Sequence, residues 1–120
     1  MLPSWLTTDA VASQSRDLHA VEPTVHVALY VRAALEDAAV PRLRKETRMY
    51  AGFPQYAAHF ERLGIDPEHT AITPEAAADD MARYRDAVDE VVLRAITPTD
   101  ASEDYARFVQ VAARLRDETR

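Results

Sequence analysis

Cysteine is absent from this chain of 120 residues. Its absence excludes disulfide frameworks, thiolate nucleophiles and cysteine-based zinc or iron–sulfur sites, and leaves an intracellular location as the default reading. Positive charge is scarce: 14 Lys and Arg stand against 20 Asp and Glu, for a formal charge of −6. Nucleic acid is therefore not expected as a ligand, because affinity for phosphate backbones comes from clustered Lys and Arg. No window approaches the roughly 20 apolar residues that span a bilayer, so no membrane is expected either. The start Met1-Leu2-Pro3-Ser4-Trp5-Leu6 has neither the basic flank nor the apolar run of a secretory leader, and the chain reads as cytoplasmic. The four histidines, His19, His26, His59 and His69, are scattered, with no His-x-x-x-His spacing, and no metal is expected.

What is present suffices for one core. Hydrophobic residues make up 48% and charged residues 28%, the balance of an ordinary globular protein. Residues 8 to about 20 read as a thin amphipathic helix carried by Val11 and Leu18, with Thr7 or Thr8 as its cap. Val21-Glu22-Pro23 breaks it, and residues 24–31 have the β-branched and aromatic density of a strand. Residues 32–64 form a helical region punctuated by Pro41 and Gly52-Phe53-Pro54, with Gly64 as a natural C-cap. Residues 69–73 form a short candidate strand that stops at Pro74.

The last third is the clearest. Thr73, Pro74 and Glu75 give a three-part start signal for a helix over residues 74–88, whose apolar face is Ala77, Met81, Tyr84 and Val88. Residues 89–97 read as a strand apolar on both faces, which suits a parallel sheet covered by helices. Residues 102–116 read as a second amphipathic helix, capped by Asp100 with Glu103 and buried through Tyr105, Phe108, Val109, Ala112 and Leu115. The order αβααβαβα is α/β, and it falls well short of the roughly 250 residues of a closed β/α barrel. This is barrel or doubly wound grammar, and residues 1–120 read as a single domain that is part of something larger.

Two stretches carry a family resemblance. The run Arg48-Met49-Tyr50-Ala51-Gly52-Phe53-Pro54-Gln55-Tyr56-Ala57-Ala58-His59-Phe60-Glu61-Arg62-Leu63-Gly64 resembles the aromatic–Pro–x–Tyr helix ending in Arg-Leu-Gly of the luciferase-like monooxygenase superfamily. The run Tyr84-Arg85-Asp86-Ala87-Val88-Asp89-Glu90-Val91-Val92-Leu93-Arg94-Ala95-Ile96-Thr97 is similar to that family's last strand with its preceding Val-Asp-Glu turn. Leu2-Pro3-Ser4-Trp5-Leu6-Thr7 is similar to the segment leaving the fifth strand, beginning after its Asp-Gly, so the chain is expected to be cut from a longer one. The resemblance implies the C-terminal part of a flavin- or deazaflavin-dependent TIM barrel, with FMN or a deazaflavin coenzyme as cofactor. The cofactor supplies the hard chemistry in such enzymes, so few obligatory catalytic side chains are expected and none is assigned.

Cofactor-binding candidates are Arg94, Arg32 and His26. Arg94 lies in an otherwise apolar strand, where a cation at a barrel-strand end could hold a phosphate or a deazaflavin tail; the competing reading is an ion pair with an acidic neighbour or an outward snorkel. Arg32, directly after the first strand, occupies the analogous place, or else the first turn of a surface helix. His26 could be a barrel-lining base, or a hydrogen-bonded structural histidine. The basic run Arg42-Leu43-Arg44-Lys45-Glu46-Thr47-Arg48 could grip an anionic tail or form a solvated helix face. Tyr50, Phe53, Tyr56 and Phe60 could stack on an isoalloxazine ring or simply pack a core. Trp5 is expected on an open edge. Two functions follow: part of an oxidoreductase completed by a second copy or a complementary barrel-forming chain, or a non-catalytic half-barrel that serves as an oligomerisation or partner-binding module.

Overall fold

The computed structural model describes residues 5–119. Helix α1 spans Thr8–Val21, strand β1 Ala28–Ala34, helices α2 and α3 Val40–Ala51 and Pro54–Leu63, helix α4 Ala77–Ala87, strand β2 Glu90–Ile96 and helix α5 Ser102–Glu118. The fold is α/β, with β1 and β2 paired in parallel over seven register partners from Ala28 with Glu90 to Ala34 with Ile96.

Local chemistry sets most boundaries. The Thr7 hydroxyl caps α1 by accepting the Ala10 N–H at 3.2 Å. Pro54 opens α3, and Gly64 closes it in the left-handed conformation at φ 65°, where a side chain would be strained. β1 begins later and ends later than the β-branched run predicts. Val27 is buried but lies just outside the ladder, and the strand continues through Arg32 to Ala34.

The expected strand over residues 69–73 shrinks to one bridge. Asp66 accepts the Glu68 N–H and a 3-10 turn occupies Pro67–Thr70, so little extended chain remains before Pro74. Ile72 donates its N–H to the Arg32 carbonyl and accepts the Ala34 N–H, each at 2.9 Å. This contact lies on the edge of β1 opposite β2. In a closed barrel consecutive strands are neighbours, so a strand at residue 72 would separate β1 from β2; here they pair directly. Two capping expectations also change. Pro74–Ala76 is a 3-10 turn before α4, and Thr73 makes no cap bond. Ala101, not Asp100, is the N-cap of α5, and Asp104 ties down that entrance by accepting the Thr99 N–H at 2.9 Å.

The sheet separates two environments. Leu29, Val31 and Ala33 point into the main core with Val11 of α1, Met81 and Tyr84 of α4 and Phe108 of α5. Tyr84 anchors the chain start by donating its hydroxyl to the Leu6 carbonyl at 2.9 Å, and burial pushes its phenol pKa up. By strand alternation the opposite face carries Tyr30, Arg32, Val92 and Arg94. At its end Ala34 and Ile96 pack on Leu43 of α2.

Candidate functional site

Arg32 and Arg94 are direct register partners on neighbouring parallel strands, so their side chains leave the same face of the sheet side by side. Two adjacent cations repel, and Glu46 of α2 resolves this by placing one carboxylate oxygen, Oε1, between them. The Arg32 Nε donates to it at 3.0 Å, and Arg94 Nη1 donates to the same atom. The cluster thus carries two positive charges against one negative. Burial grades across it, from 8% side-chain exposure at Arg32 to 40% at Arg94.

Aromatic rings cover the buried end. The Arg32 guanidinium carbon lies 3.5 Å from the Trp5 ring centroid, with Tyr50 at 5.2 Å and Tyr30 at 5.5 Å, distances at which ring quadrupoles stabilise a cation. Trp5 in turn packs on Tyr50, Tyr56 and Phe60 with centroids 5.3, 6.1 and 5.8 Å away. Its backbone is left-handed at φ 57°, unusual for a bulky residue, and its carbonyl accepts a bond from His59 Nε2 at 3.0 Å. The expectation of Trp5 on an open edge is corrected: it is 4% exposed, because Arg32 and the α2–α3 aromatics enclose it.

The exposed end opens to solvent. A cleft of about 320 Å³ is lined by Arg42, Lys45, Glu46, Met49, Tyr50 and Arg94. Arg42 is held there by the Thr97 carbonyl at 3.1 Å and by Asp100 at 2.9 Å, and that pairing raises its pKa further. In a chain of charge −6 this cleft gathers three cations around one lining carboxylate, an arrangement suited to an anion. The basic run of α2 is therefore divided. Arg42 and Lys45 line the cleft, Leu43 and Thr47 are buried, and Arg44 and Arg48 face solvent. Comparison with protein-family models, with curated proteins and with solved structures finds no match.

Two of the three predicted residues are brought together and one is not. Arg32 belongs to the interior of β1 and is 7% exposed, which corrects both its place after the strand and its alternative on a surface helix. Arg94 takes the acidic partner that its competing reading named. His26 lies at the other end of the sheet, bonded through Nε2 to Glu90 at 2.9 Å. Beside it, Asp89 accepts the Val27 N–H at 2.7 Å and lies 3.3 Å from His19. The Val27 bond, followed by the nearby histidines, holds the Asp89 carboxyl below its ordinary pKa. Glu46 and Trp5 were not among the candidates. Glu46 is the only acid in the basic run, and that was the signal available for it. Among the described residues no group of three or more His, Asp or Glu is arranged to hold a metal, and no helix is long and apolar enough to cross a membrane.

Proposed function

We propose that the chain is the C-terminal part of a cytoplasmic luciferase-like oxidoreductase that works with FMN or a deazaflavin coenzyme, and that its share of the site is the grip on the coenzyme's anionic tail. The Arg32–Glu46–Arg94 cluster with its cleft carries this reading. It concentrates cations at the C-terminal half of two parallel strands, where ligands of such sheets bind. The direct pairing of β1 with β2 gives barrel closure no support, so the barrel reading rests on the two sequence motifs.

The donor set fits the group in part. Arg94, Lys45 and Arg42 are placed to bind phosphate or carboxylate oxygens, with Glu46 fixing the direction of the Arg94 guanidinium. Trp5 itself is largely taken up by Arg32 on one side and by its aromatic neighbours on others, whereas Phe53 is 42% exposed and Tyr50 lines the cleft. The tail is held here, and the ring rests on protein supplied by another chain or a second copy. When bound, the coenzyme supplies hydride transfer or oxygen activation; this chain binds and orients.

Titration with FMN and with a deazaflavin coenzyme, followed by ligand anisotropy and by emission of Trp5, the single tryptophan, tests the reading. Saturable binding that weakens by roughly tenfold in Arg94→Ala, the loss of one charge-assisted contact, is the expected result. Absence of binding to both coenzymes, or binding indifferent to Arg94→Ala, overturns it.

A further inference from the structure

β2 has one satisfied edge and one open edge. The Glu90 N–H donates to the Val27 carbonyl at 3.1 Å, which turns the backbone of the even-numbered β2 residues toward β1. Strand alternation then leaves the N–H and C=O groups of Val91, Leu93 and Ala95 directed at the opposite edge. Among the described residues no strand pairs there. Beside this edge α5 exposes Tyr105 by 41% and Val109 by 64%. Val109 lines a groove of about 570 Å³ with an apolar floor of Val91, Leu93 and Phe108 and charged residues such as Arg85 and Glu90 in its lining, and Tyr105 borders Arg94 and Ala95. An unpaired edge flanked by exposed apolar side chains is a template for another strand.

The β2 sequence specifies which strand. In an antiparallel pair of two β2 strands related by a two-fold axis at Val92, Glu90 of each copy lies opposite Arg94 of the other, and Val91 lies opposite Leu93. Both ends of the ladder then carry opposite charges and its centre is apolar. Moving the axis to Leu93 sets Glu90 against Ile96 and Arg94 against Val92. Moving it to Val91 sets Glu90 against Val92 and Asp89 against Leu93. Only the register at Val92 is complementary, and because the interface is isologous the favourable pair occurs twice. Glu90 and Arg94 keep 56% and 40% side-chain exposure beside their own-chain partners His26 and Glu46, so both have surface left for a second contact. We infer that the open edge of β2 is the interface for a second copy of this chain, joined as an antiparallel β2–β2 ladder centred on Val92. The ladder does not require a coenzyme, but it draws on the same Arg94 guanidinium that the proposed grip on an anionic tail uses.

Sedimentation and native mass spectrometry of the 120-residue chain, with hydrogen exchange read residue by residue, test it. The expected result is a dimer whose Val91, Leu93 and Ala95 amides are protected, with protection that fades on dilution. Glu90→Arg and Arg94→Glu each set like charges opposite one another twice and weaken self-association by roughly tenfold. An equimolar mixture of the two variants restores both attractive pairs and dimerises like the parent, a rescue that damage to either fold would not produce. A monomer at sub-millimolar concentration with unprotected edge amides overturns the inference and leaves the edge to a complementary chain of different sequence. A dimer insensitive to both charge reversals overturns it as well.

Discussion

β1 and β2 have equal length and share every register position, yet they live in different surroundings. β1 is enclosed from Val31 onward and bonded along one edge and at one point of the other: Leu29, Val31, Ala33 and Ala34 are at most 1% exposed, and Ile72 makes a single bridge to the edge away from β2. β2 is half-buried from Val91 to Ala95 and, among the described residues, bonded on one edge. The same contrast runs through the arginine pair, buried at Arg32 and open at Arg94. A strand surrounded within its own chain contributes stability; one left half-covered is available for binding. The division places the buried half of the charge cluster on β1 and the solvent-open half on β2.

The largest test of this contrast is a pair of matched truncations. Leu29→Ala empties a fully enclosed site in β1 and is expected to cost about 3 kcal/mol, whereas Leu93→Ala on half-covered β2 costs about 1 kcal/mol. Urea denaturation of both variants measures the gap; equal losses would mean that β2 is buried as deeply as β1 in solution. Next comes the arginine pair. Arg32→Ala strips the cation from Trp5 and leaves Glu46 with one partner, for a loss of about 2 kcal/mol. Arg94→Ala removes a solvent-screened group and costs less than about 1 kcal/mol. Thermal melts of the two variants should separate in that order, and a reversed order would put the structural burden on the wrong arginine.

How far the sequence discloses these differences depends on whether the cause is local. Thr7 acts through its own hydroxyl and Pro54 and Gly64 through their own backbone, so the start of α1 and both ends of α3 follow from residue identity. The apolar face of α4 follows from period, and Ala77, Met81 and Tyr84 are buried as that period predicts. By contrast, Val25 and Val27 make the start of β1 look earlier than it is: Val25 is half-buried and bonds back to Glu22, and Val27 bonds to Asp89 and Glu90 but lies before the first register pair at Ala28. Tyr105 and Val109 fall on the apolar stripe of α5 and are nevertheless exposed, since period tells which residues share a face and not whether anything covers it. Glu46 is harder still. Its role exists only because β1 and β2 pair in a register that sets Arg32 beside Arg94, a contact across 62 positions that no local pattern encodes.

Acid should release the sheet's two ends in a defined order of sign. Asp89 is held below its ordinary pKa chiefly by the Val27 N–H, and Asp104 chiefly by the Thr99 hydroxyl, with Arg107 and the Thr99 N–H adding to it. A carboxyl with a lower pKa in the folded state binds fewer protons there than in the unfolded chain, so its contribution is fully present above the unfolded value near pH ~4 and is lost as pH falls through the folded value. Stability measured by urea denaturation should therefore be flat in these two groups from neutral pH to about 5 and decline below about 4. In Asp89→Asn and Asp104→Asn that acid limb should be shallower; an unchanged limb in both variants would remove these carboxylates from the account.

The smallest expected effect separates folding from association most cleanly. Val109 is 64% exposed, so Val109→Ser removes little that the isolated chain buries and should change unfolding free energy by less than about 0.5 kcal/mol. The same side chain borders the open edge of β2, where a second copy would cover it and remove its apolar surface from water. Val109→Ser should therefore leave the melting temperature of dilute protein unchanged while raising the concentration at which the chain pairs. A stability loss comparable to that of Leu93→Ala in dilute protein would show instead that Val109 is covered within the single chain, and the contrast between a self-sufficient β1 and a β2 awaiting a neighbour would fail at that residue.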